Sequence, residues 1–316
     1  MSVSSAVKVS VVVVTFNHAA YIDTALRSVY EQATDFDFEI LISEDASTDG
    51  TREIVQGWQE RFPDKIRLIL SPANVRSNQV VARAFAAARG DYIALLDGDD
   101  YWTSPDKLNR QVAMLDANPN LSLCFTNAEI VGDSGVPAGT SWTSPTLKPR
   151  LTLADLWGGN PFATCGSLFR RSSVAQIPAW YDGFFPVTDW PLYILFAEQG
   201  DIAYLPEMMG AYRLHAGGLY SAQSRRDKLA SMDSLYRRLN ACLEGRYDAQ
   251  IHTGHRRYFL DWAREYIGQG DATLARACLA YANGYRKNES LADRMEFLGV
   301  AARLLLRPRR GRDAAS

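Results

Sequence analysis

Residues 92–102 read Tyr-Ile-Ala-Leu-Leu-Asp-Gly-Asp-Asp-Tyr-Trp, an apolar run followed at once by three carboxylates. The run over 92–96 predicts a buried strand, because it is short, apolar and bounded by a turn sequence. Like charges this close raise one another's pKa unless a cation lies among them. Oxygen-rich clusters suit hard cations such as Mg2+ or Mn2+, which keep open positions for substrate phosphates. A solvated acidic turn is the alternative interpretation.

Composition sets the class of protein. The 316 residues are 47% hydrophobic, enough to bury a large core in one domain or in a domain with an appendage. The formal net charge of -2 argues against general nucleic-acid binding, which needs a basic surface. The four cysteines form no Cys-x-x-Cys pair, which excludes a zinc ribbon and favours a reducing compartment. No signal-peptide pattern is present, and the apolar run over 9–14 is too short to span a bilayer, so we expect a soluble, cytoplasmic protein.

The first part of the chain alternates between strand and helix patterns. Further strands are predicted over 9–14, 38–42 and 66–70, each followed by an amphipathic helical pattern. Asn17 is predicted to cap the first helix, and Pro105 to lie in the first turn of the helix after the fourth strand. This alternation predicts a Rossmann-like α/β fold, with a mostly parallel sheet covered by helices on both faces.

The pattern changes after about residue 130. Residues 132–149 are rich in Gly, Pro, Ser and Thr and predict a loop or lid, whereas 164–169 predicts a return strand and 189–199 a helix. From about residue 225 onward the pattern is helical, and the glycines near 268–271 divide it into a helical hairpin. We therefore predict a main domain over 1–222 and an all-helical C-terminal appendage over 223–316.

Three polar clusters follow predicted strands, at residues 15–17, 43–50 and 97–99. In open α/β sheets, ligands bind beyond the carboxyl ends of the strands. Each cluster alone could serve a turn or a helix cap. Their joint placement at one edge of the sheet predicts a ligand site.

Three segments resemble the family-two glycosyltransferases. They are Val-Val-Val-Val-Thr-Phe-Asn-His at 11–18, Ser-Glu-Asp-Ala-Ser-Thr-Asp-Gly-Thr at 43–51, and Ala-Arg-Gly-Asp-Tyr-Ile-Ala-Leu-Leu-Asp-Gly-Asp-Asp at 88–100. The resemblance covers about residues 8–215. It implies an inverting enzyme with the A-type, nucleotide-diphospho-sugar transferase fold, and the helical C-terminal third lies outside the shared pattern.

The resemblance also implies residues for donor binding. Thr15, Phe16 and Asn17 are expected beside the nucleotide base. Asp45 is expected to bind the base or ribose, because a carboxylate accepts hydrogen bonds from ring N–H groups and hydroxyls. Glu44, where the family often has Asp, is expected in the same site. Capping of the turn is the alternative role for Asp45.

A divalent metal, Mn2+ or Mg2+, is implied by the Asp-x-Asp pattern at Asp97 and Asp99. Asp99 is expected to coordinate it directly, and His215 of a Tyr-Arg-Leu-His segment to complete its shell. Such an ion stabilises the charge that develops on the leaving diphosphate. Arg213 is expected to contact the same diphosphate. Asp100 is assigned either to orienting the site or to capping the following turn.

The family places its general base in an acidic pair at the start of a later helix. The matching segment here has Thr188 in place of the first acid, so Asp189 is the predicted base. Capping of the helix is the alternative role of Asp189, and both roles are compatible. His18, His252 and His255 show no comparable context and are assigned no role.

The implied activity is transfer of one sugar from a nucleotide-diphospho-sugar, a UDP-sugar first, to a glycan or lipid-linked acceptor in bacterial cell-surface polysaccharide assembly. Neither the Gln-x-x-Arg-Trp motif nor the membrane helices of processive synthases are present in the sequence. Two alternatives stay open, a catalytically inactive binding or scaffold protein of the same fold and a sugar nucleotidyltransferase. The second lacks support, since residues 15–18 do not form a Gly-rich basic loop.

The last helical segment allows three interpretations. Its apolar residues over 297–306 are followed by the basic run Arg-Pro-Arg-Arg-Gly-Arg at 307–312. An apolar helix beside a basic cluster can bind the surface of an anionic membrane. A homodimer contact and an ordinary core-packed helix are the other two interpretations.

Overall fold

The computed structural model describes residues 6–175, 177–219, 222–285, 287 and 289–306. The chain divides into two compact units. The first unit comprises residues 1–156 and 160–222, and the second comprises residues 157–159 and 223–316.

The first unit alternates strands and helices as far as its fourth strand, and the order of its elements is less regular after that. Its elements in chain order are β1 (Val9–Thr15), α1 (Ile22–Tyr30), β2 (Phe38–Glu44), α2 (Thr51–Arg61), β3 (Ile66–Leu70), α3 (Gln79–Ala87), β4 (Tyr92–Asp97), β5 (Tyr101–Trp102), α4 (Lys107–Ala117), β6 (Leu121–Val131), β7 (Pro137–Ser141), β8 (Arg150–Leu151), α5 (Leu153–Leu156), β9 (Ser167–Arg170), α6 (Asp189–Ala197) and β10 (Asp201–Arg213).

The described strands form a single mixed sheet in the order β3-β2-β1-β4-β9-β6-β10-β5, with β7 paired to β6 and β8 to β10. The strands from β3 to β4 run parallel, and β6 runs parallel to β10. Strand β9 is antiparallel to both of its neighbours. The predicted α/β fold with a mostly parallel sheet is therefore confirmed.

Strand β1 lies inside the sheet and is covered on both faces. Its residues Val9, Val11 and Val13 are fully buried, as expected of a β-branched run in a parallel sheet. The buried Ser10 hydroxyl accepts a hydrogen bond from the Gly90 backbone nitrogen at 2.9 Å. A Cβ atom at Gly90 would lie 2.5 Å from the Ser10 nitrogen. The backbone just before β4 can therefore lie this close to β1 only because residue 90 has no side chain.

The predicted cap of the first helix is wrong. Helix α1 begins at Ile22, and no side chain caps it. Asn17 adopts a left-handed φ of 55°, and its side-chain oxygen accepts a hydrogen bond from the Thr48 nitrogen at 2.8 Å. The Asn17 side chain therefore links the loop after β1 to the loop after β2 and is not available to cap α1.

Three other local predictions differ from the structure. Helix α4 begins at Lys107, so Pro105 precedes the helix and does not lie in its first turn. The segment 132–149 is not a loop throughout, because β7 pairs with β6 as an exposed edge strand. The predicted return strand starts later than expected, since residues 164–166 form a 3-10 turn before β9.

The second unit is helical throughout its described residues, as predicted. It contains α7 (Arg225–Cys242), α8 (Asp248–Gln269), α9 (Ala272–Gly284) and α10 (Leu291–Leu306). Gly270 ends α8 in a left-handed conformation with φ of 87°, and the Asp271 side chain caps α9 by accepting from the Leu274 nitrogen at 2.9 Å. In the described part of the chain, the helices are each too short or too polar to cross a membrane.

Replacement of Gly90 by alanine tests the close approach of β4 to β1. We expect Gly90→Ala to lower the free energy of unfolding by about 2 kcal/mol or more, because the new methyl group overlaps backbone that cannot move away. Urea denaturation measures the loss. Gly57→Ala in α2 is the matched control, since no atom lies within 4 Å of its added methyl group. An equal effect of the two substitutions would contradict the steric argument.

Candidate active site

The carboxyl ends of β1, β2 and β4 meet at one edge of the sheet. Thr15 pairs with Glu44 in the register of β1 and β2, and Val14 pairs with Asp97 in the register of β1 and β4. The structure thus brings the three predicted polar clusters together where ligands bind in open α/β sheets.

The acidic turn after β4 lies directly against the end of β1. A Cβ atom at Gly98 would lie 2.6 Å from the Thr15 hydroxyl oxygen and 2.9 Å from Nδ1 of His18. Asp97 and Asp99, on either side of this glycine, remain partly exposed. Burial, together with the neighbouring carboxylates of Asp99 and Asp189, raises the pKa of Asp97 to about 8.

Two imidazole rings flank Asp99. Its Oδ2 atom lies 2.9 Å from Nε2 of His215 and 3.7 Å from Nε2 of His18. Burial opposes ionisation of Asp99, but the hydrogen bond from His215 and the nearby His18 bring the pKa of Asp99 below its ordinary value. Burial lowers the pKa of His18, and the Asp99 carboxylate opposes this shift.

Asp100 points away from this edge and fixes the end of β10. It is buried, and its Oδ1 atom accepts a hydrogen bond from the Arg213 backbone nitrogen at 2.8 Å. Burial and the Asp99 and Asp97 carboxylates raise its pKa well above the ordinary value. Of its two predicted roles, the contacts favour orienting the site.

Arg213 joins three segments around the acidic turn. Its guanidinium donates hydrogen bonds to the backbone oxygens of Asp99 at 2.9 Å, Asp133 at 2.6 Å and Gly132 at 3.3 Å. It also lies 4.8 Å from the ring centre of Tyr21, whose hydroxyl donates to the Asp133 carboxylate at 2.5 Å. These donors are directed at protein carbonyls and hold the turn after β6 beside the acidic turn.

The side chains present suit a divalent cation that takes only part of its shell from protein. Among the described residues, no three His, Cys, Asp or Glu side chains converge closely enough to hold an ion by themselves. The hydrogen-bonded pair of Asp99 and His215 can supply two ligands. Mg2+ and similar ions bind in this way, through one or two protein groups together with substrate phosphates and water.

Asp45 is held at the other side of the edge by the segment after β3. Its Oδ1 atom accepts from the Ser71 hydroxyl at 2.7 Å, and both carboxylate oxygens lie 3.2 Å from the Val75 nitrogen. Arg83 donates to the same Ser71 hydroxyl at 2.6 Å. The carboxylate of Asp45 is therefore oriented before any ligand arrives.

Glu44 faces inward, beneath the loop that follows β2. Its side chain is fully buried and accepts a hydrogen bond from Nε of Arg52 at 2.6 Å. Although burial opposes ionisation, the Ser47 nitrogen and Arg52 bring the pKa of Glu44 below its ordinary value. These contacts make Glu44 a support of the loop.

Asp189 is the first residue of α6 and is partly exposed. One carboxylate oxygen accepts from the Trp190 nitrogen at 2.7 Å and the other from the Asn160 side chain at 2.6 Å. Burial raises the pKa of Asp189 above its ordinary value, and the hydrogen bond from Asn160 opposes this rise. Since Asp189 in turn raises the pKa of Asp97, the two carboxylates act on one another across a shared region.

Sequence reasoning did not single out four residues near this site, namely His18, Tyr21, Asp133 and Asn160. Of these, Asp133 and Asn160 lie in the segments 132–149 and 160–170, where acceptor contacts are predicted. The signal for His18 was its place directly after the cluster at 15–17. The roles of Tyr21 and Asp133 depend on a contact between residues far apart in sequence, which no local pattern shows. His255 lies in the second unit, where its ring bonds to the Asp233 carboxylate at 2.7 Å.

A family model described as glycosyl transferase family 2 matches residues 10–177. An uncharacterized protein of Mycobacterium tuberculosis is 36% identical over 221 residues, which are 69% of this chain and 62% of that protein. A Bacillus subtilis protein named as a candidate teichuronic acid biosynthesis glycosyltransferase, TuaG, is 34% identical over 209 residues, 65% of this chain and 79% of its own length. The chain thus spans less than two thirds of the mycobacterial relative.

Two solved structures share the fold. S. aureus TarS 1-349, in complex with UDP-GlcNAc, has a TM-score of 0.60 at 17% identity, over 94% of this chain and 80% of that one. Mannosyltransferase PcManGT from Pyrobaculum calidifontis, in complex with GDP-Man and Mn2+, has a TM-score of 0.58 at 20% identity, over 96% of this chain and 82% of that one. This likeness confirms the predicted A-type fold.

Substitution of Arg213 by lysine tests its role in holding the turns together. Lysine keeps the charge but cannot reproduce the planar fork of donors, so we expect Arg213→Lys to lower the free energy of unfolding by about 1 to 3 kcal/mol. Urea denaturation measures this. Arg27→Lys is the control, because its exposed ion pair with Asp23 contributes little to stability. If Arg213→Lys left the free energy of unfolding unchanged, the positive charge alone would be enough to hold the turns together.

Proposed function

The chain belongs to glycosyl transferase family 2, and from that membership we propose that it transfers a single sugar from a nucleotide-diphospho-sugar to an acceptor hydroxyl. One observation carries the proposal. The edge of the sheet that presents the oriented Asp45 carboxylate also presents Asp99 between two imidazoles. The nucleotide-sugar complexes of TarS and PcManGT support a donor of this class.

The nucleotide is proposed to bind where the loops after β1 and β2 meet. Thr15, Phe16 and Asn17 would lie beside the base, and Asp45 would accept hydrogen bonds from the base or ribose. Glu44 would contribute by fixing the loop that carries Asp45. The TarS complex favours a UDP-sugar as the first donor to test.

The diphosphate is proposed to bind at the acidic turn, with a divalent ion held by Asp99 and His215 and supported by Asp97. We also propose that His18 helps to position Asp99, because its ring lies 3.7 Å from the same Asp99 oxygen. A bound Mn2+ or Mg2+ neutralises charge on the leaving diphosphate. The Mn2+ complex of PcManGT supports this choice of cofactor. Arg213 would hold the turn after β6 beside the acidic turn and would also contact the diphosphate.

Asp189 is proposed as the general base of an inverting displacement. Its carboxylate would take the proton of the acceptor hydroxyl while the acceptor oxygen bonds to the anomeric carbon. The bond from that carbon to the diphosphate oxygen breaks on the opposite side, which inverts the configuration. Asn160 would hold the carboxylate in place through its hydrogen bond.

The proposed setting is cell-surface polysaccharide assembly in bacteria, with a hexose as the transferred sugar and a glycan or lipid-linked acceptor. The TuaG relative is named for teichuronic acid biosynthesis, which supports this setting.

Donor and metal binding test the proposal directly. We expect Mn2+ to bind, as seen by electron paramagnetic resonance, and a UDP-sugar with Mn2+ to raise the melting temperature by mass action. Asp99→Asn, His215→Ala and His18→Ala should each weaken Mn2+ binding by about tenfold or more, the loss known even for residues that only orient metal ligands.

His252→Ala in the second unit is the control for these variants and should bind Mn2+ normally. Slow release of nucleoside diphosphate from the donor should accompany binding and disappear in Asp99→Asn. Binding without any release or transfer would favour the inactive binding protein. Failure of every sugar nucleotide to bind would refute the proposal.

The pH dependence of transfer tests Asp189. A base must be ionised, so kcat/KM should fall as the pH drops through the raised pKa of Asp189. Asn160→Ala removes a hydrogen bond that lowers this pKa, so the acidic limb should move to higher pH. Asp189→Asn should reduce kcat by about a hundredfold or more while donor binding persists. Asp182→Asn is the control and should leave the profile unchanged.

A further inference from the structure

Helix α10 of the second unit exposes an apolar face. Leu291, Met295, Leu298 and Leu305 are 76%, 63%, 58% and 84% exposed. At 100° per residue, these positions fall within an arc of about 80° on one side of the helix. Isolated exposed leucines are common, but an aligned row over a whole helix indicates a surface that binds something.

The opposite side of α10 is already packed within the second unit. Val300 is 3% exposed, and the Phe297 ring lies 5.6 Å from the Arg256 guanidinium carbon. The helix therefore packs against the rest of the second unit without its exposed leucines. These leucines remain exposed when the second unit is folded.

The charged residues of α10 itself balance, and a basic run follows the helix in the sequence. Asp293 accepts from the Ser290 nitrogen at 2.9 Å, Glu296 pairs with Arg264, and Arg294 pairs with Glu289 at 3.3 Å. Arg294 and Arg303 also belong to the helix. In the sequence, Arg307, Arg309, Arg310 and Arg312 follow; they lie outside the described residues.

We propose that the exposed face of α10 binds the surface of a bilayer that contains anionic lipid. A helix of 16 residues is too short to cross the bilayer but can lie in its interface, with leucines among the acyl chains. Arginines beside such a face gain from the negative potential of anionic headgroups.

A second copy of the chain fits the same face less well. Pairing two α10 helices would bury the leucines but would make no use of the positive charge that follows the helix in the sequence. An anionic bilayer satisfies both the apolar row and the positive charge. The inference goes beyond the proposed sugar transfer and does not depend on it.

Vesicle cosedimentation of the full chain tests the proposal. We expect the protein to sediment with vesicles of phosphatidylcholine and phosphatidylglycerol, less with phosphatidylcholine alone, and less at high salt because screening weakens the charge term. A variant with Leu298→Asp and Leu305→Asp should bind anionic vesicles about tenfold or more weakly, since charged groups replace the inserted side chains. Leu219→Asp is the matched control; it removes a leucine that is 59% exposed in the first unit and should bind as the original chain does.

Three results would overturn the proposal. They are no binding of the original chain to anionic vesicles, undiminished binding by the double variant, and a dimer in light scattering that the double variant dissociates while neither protein binds vesicles. The last result would assign the face to a second copy. Circular dichroism checks that the helices persist, and Leu305→Asp alone, near the helix end, provides a milder variant.

Discussion

The pairing of β1 with β4 is so close that neither end of it has room for a side chain. At one end, a Cβ atom on Gly90 would overlap the backbone of Ser10, and at the other a Cβ atom on Gly98 would overlap the Thr15 hydroxyl. The register between these two points places Asp97 opposite Val14. Everything proposed for the acidic turn depends on this fit, since the turn is held against the end of β1 where His18 also lies.

Within that turn, the three carboxylates of Asp97, Asp99 and Asp100 have different surroundings, which give them different pKa values and different partners. The hydrogen bond from His215 and the nearby His18 lower the pKa of Asp99, whereas burial and neighbouring negative charge raise the pKa of Asp97. Asp100 is turned into the protein, where it holds the strand that carries Arg213. Three side chains of nearly the same chemistry thus acquire three roles, because each has different partners.

The sequence predicted the parts of the structure that local patterns determine. Buried β-branched and apolar runs identified the parallel strands, and polar clusters at their ends located the site at one edge of the sheet. The misses share a cause, which is that a tertiary contact overrides a local preference. The Asn17 side chain bonds across to Thr48 instead of capping α1, and β7 exists only because β6 offers it a partner. His18 was passed over because its relation to Asp99 requires two strand ends to be adjacent.

The glycine at position 98 also determines which residues around the site can be exchanged in protein engineering. A side chain at the centre of the β4 turn would meet the side chains of Thr15 and His18, and Glu44 is engaged in its ion pair with Arg52. Phe16 is partly exposed and lies outside both of these contacts. Among the residues proposed to lie beside the base, Phe16 therefore leaves most freedom for a library of substitutions, and the acidic turn is best kept unchanged in every design.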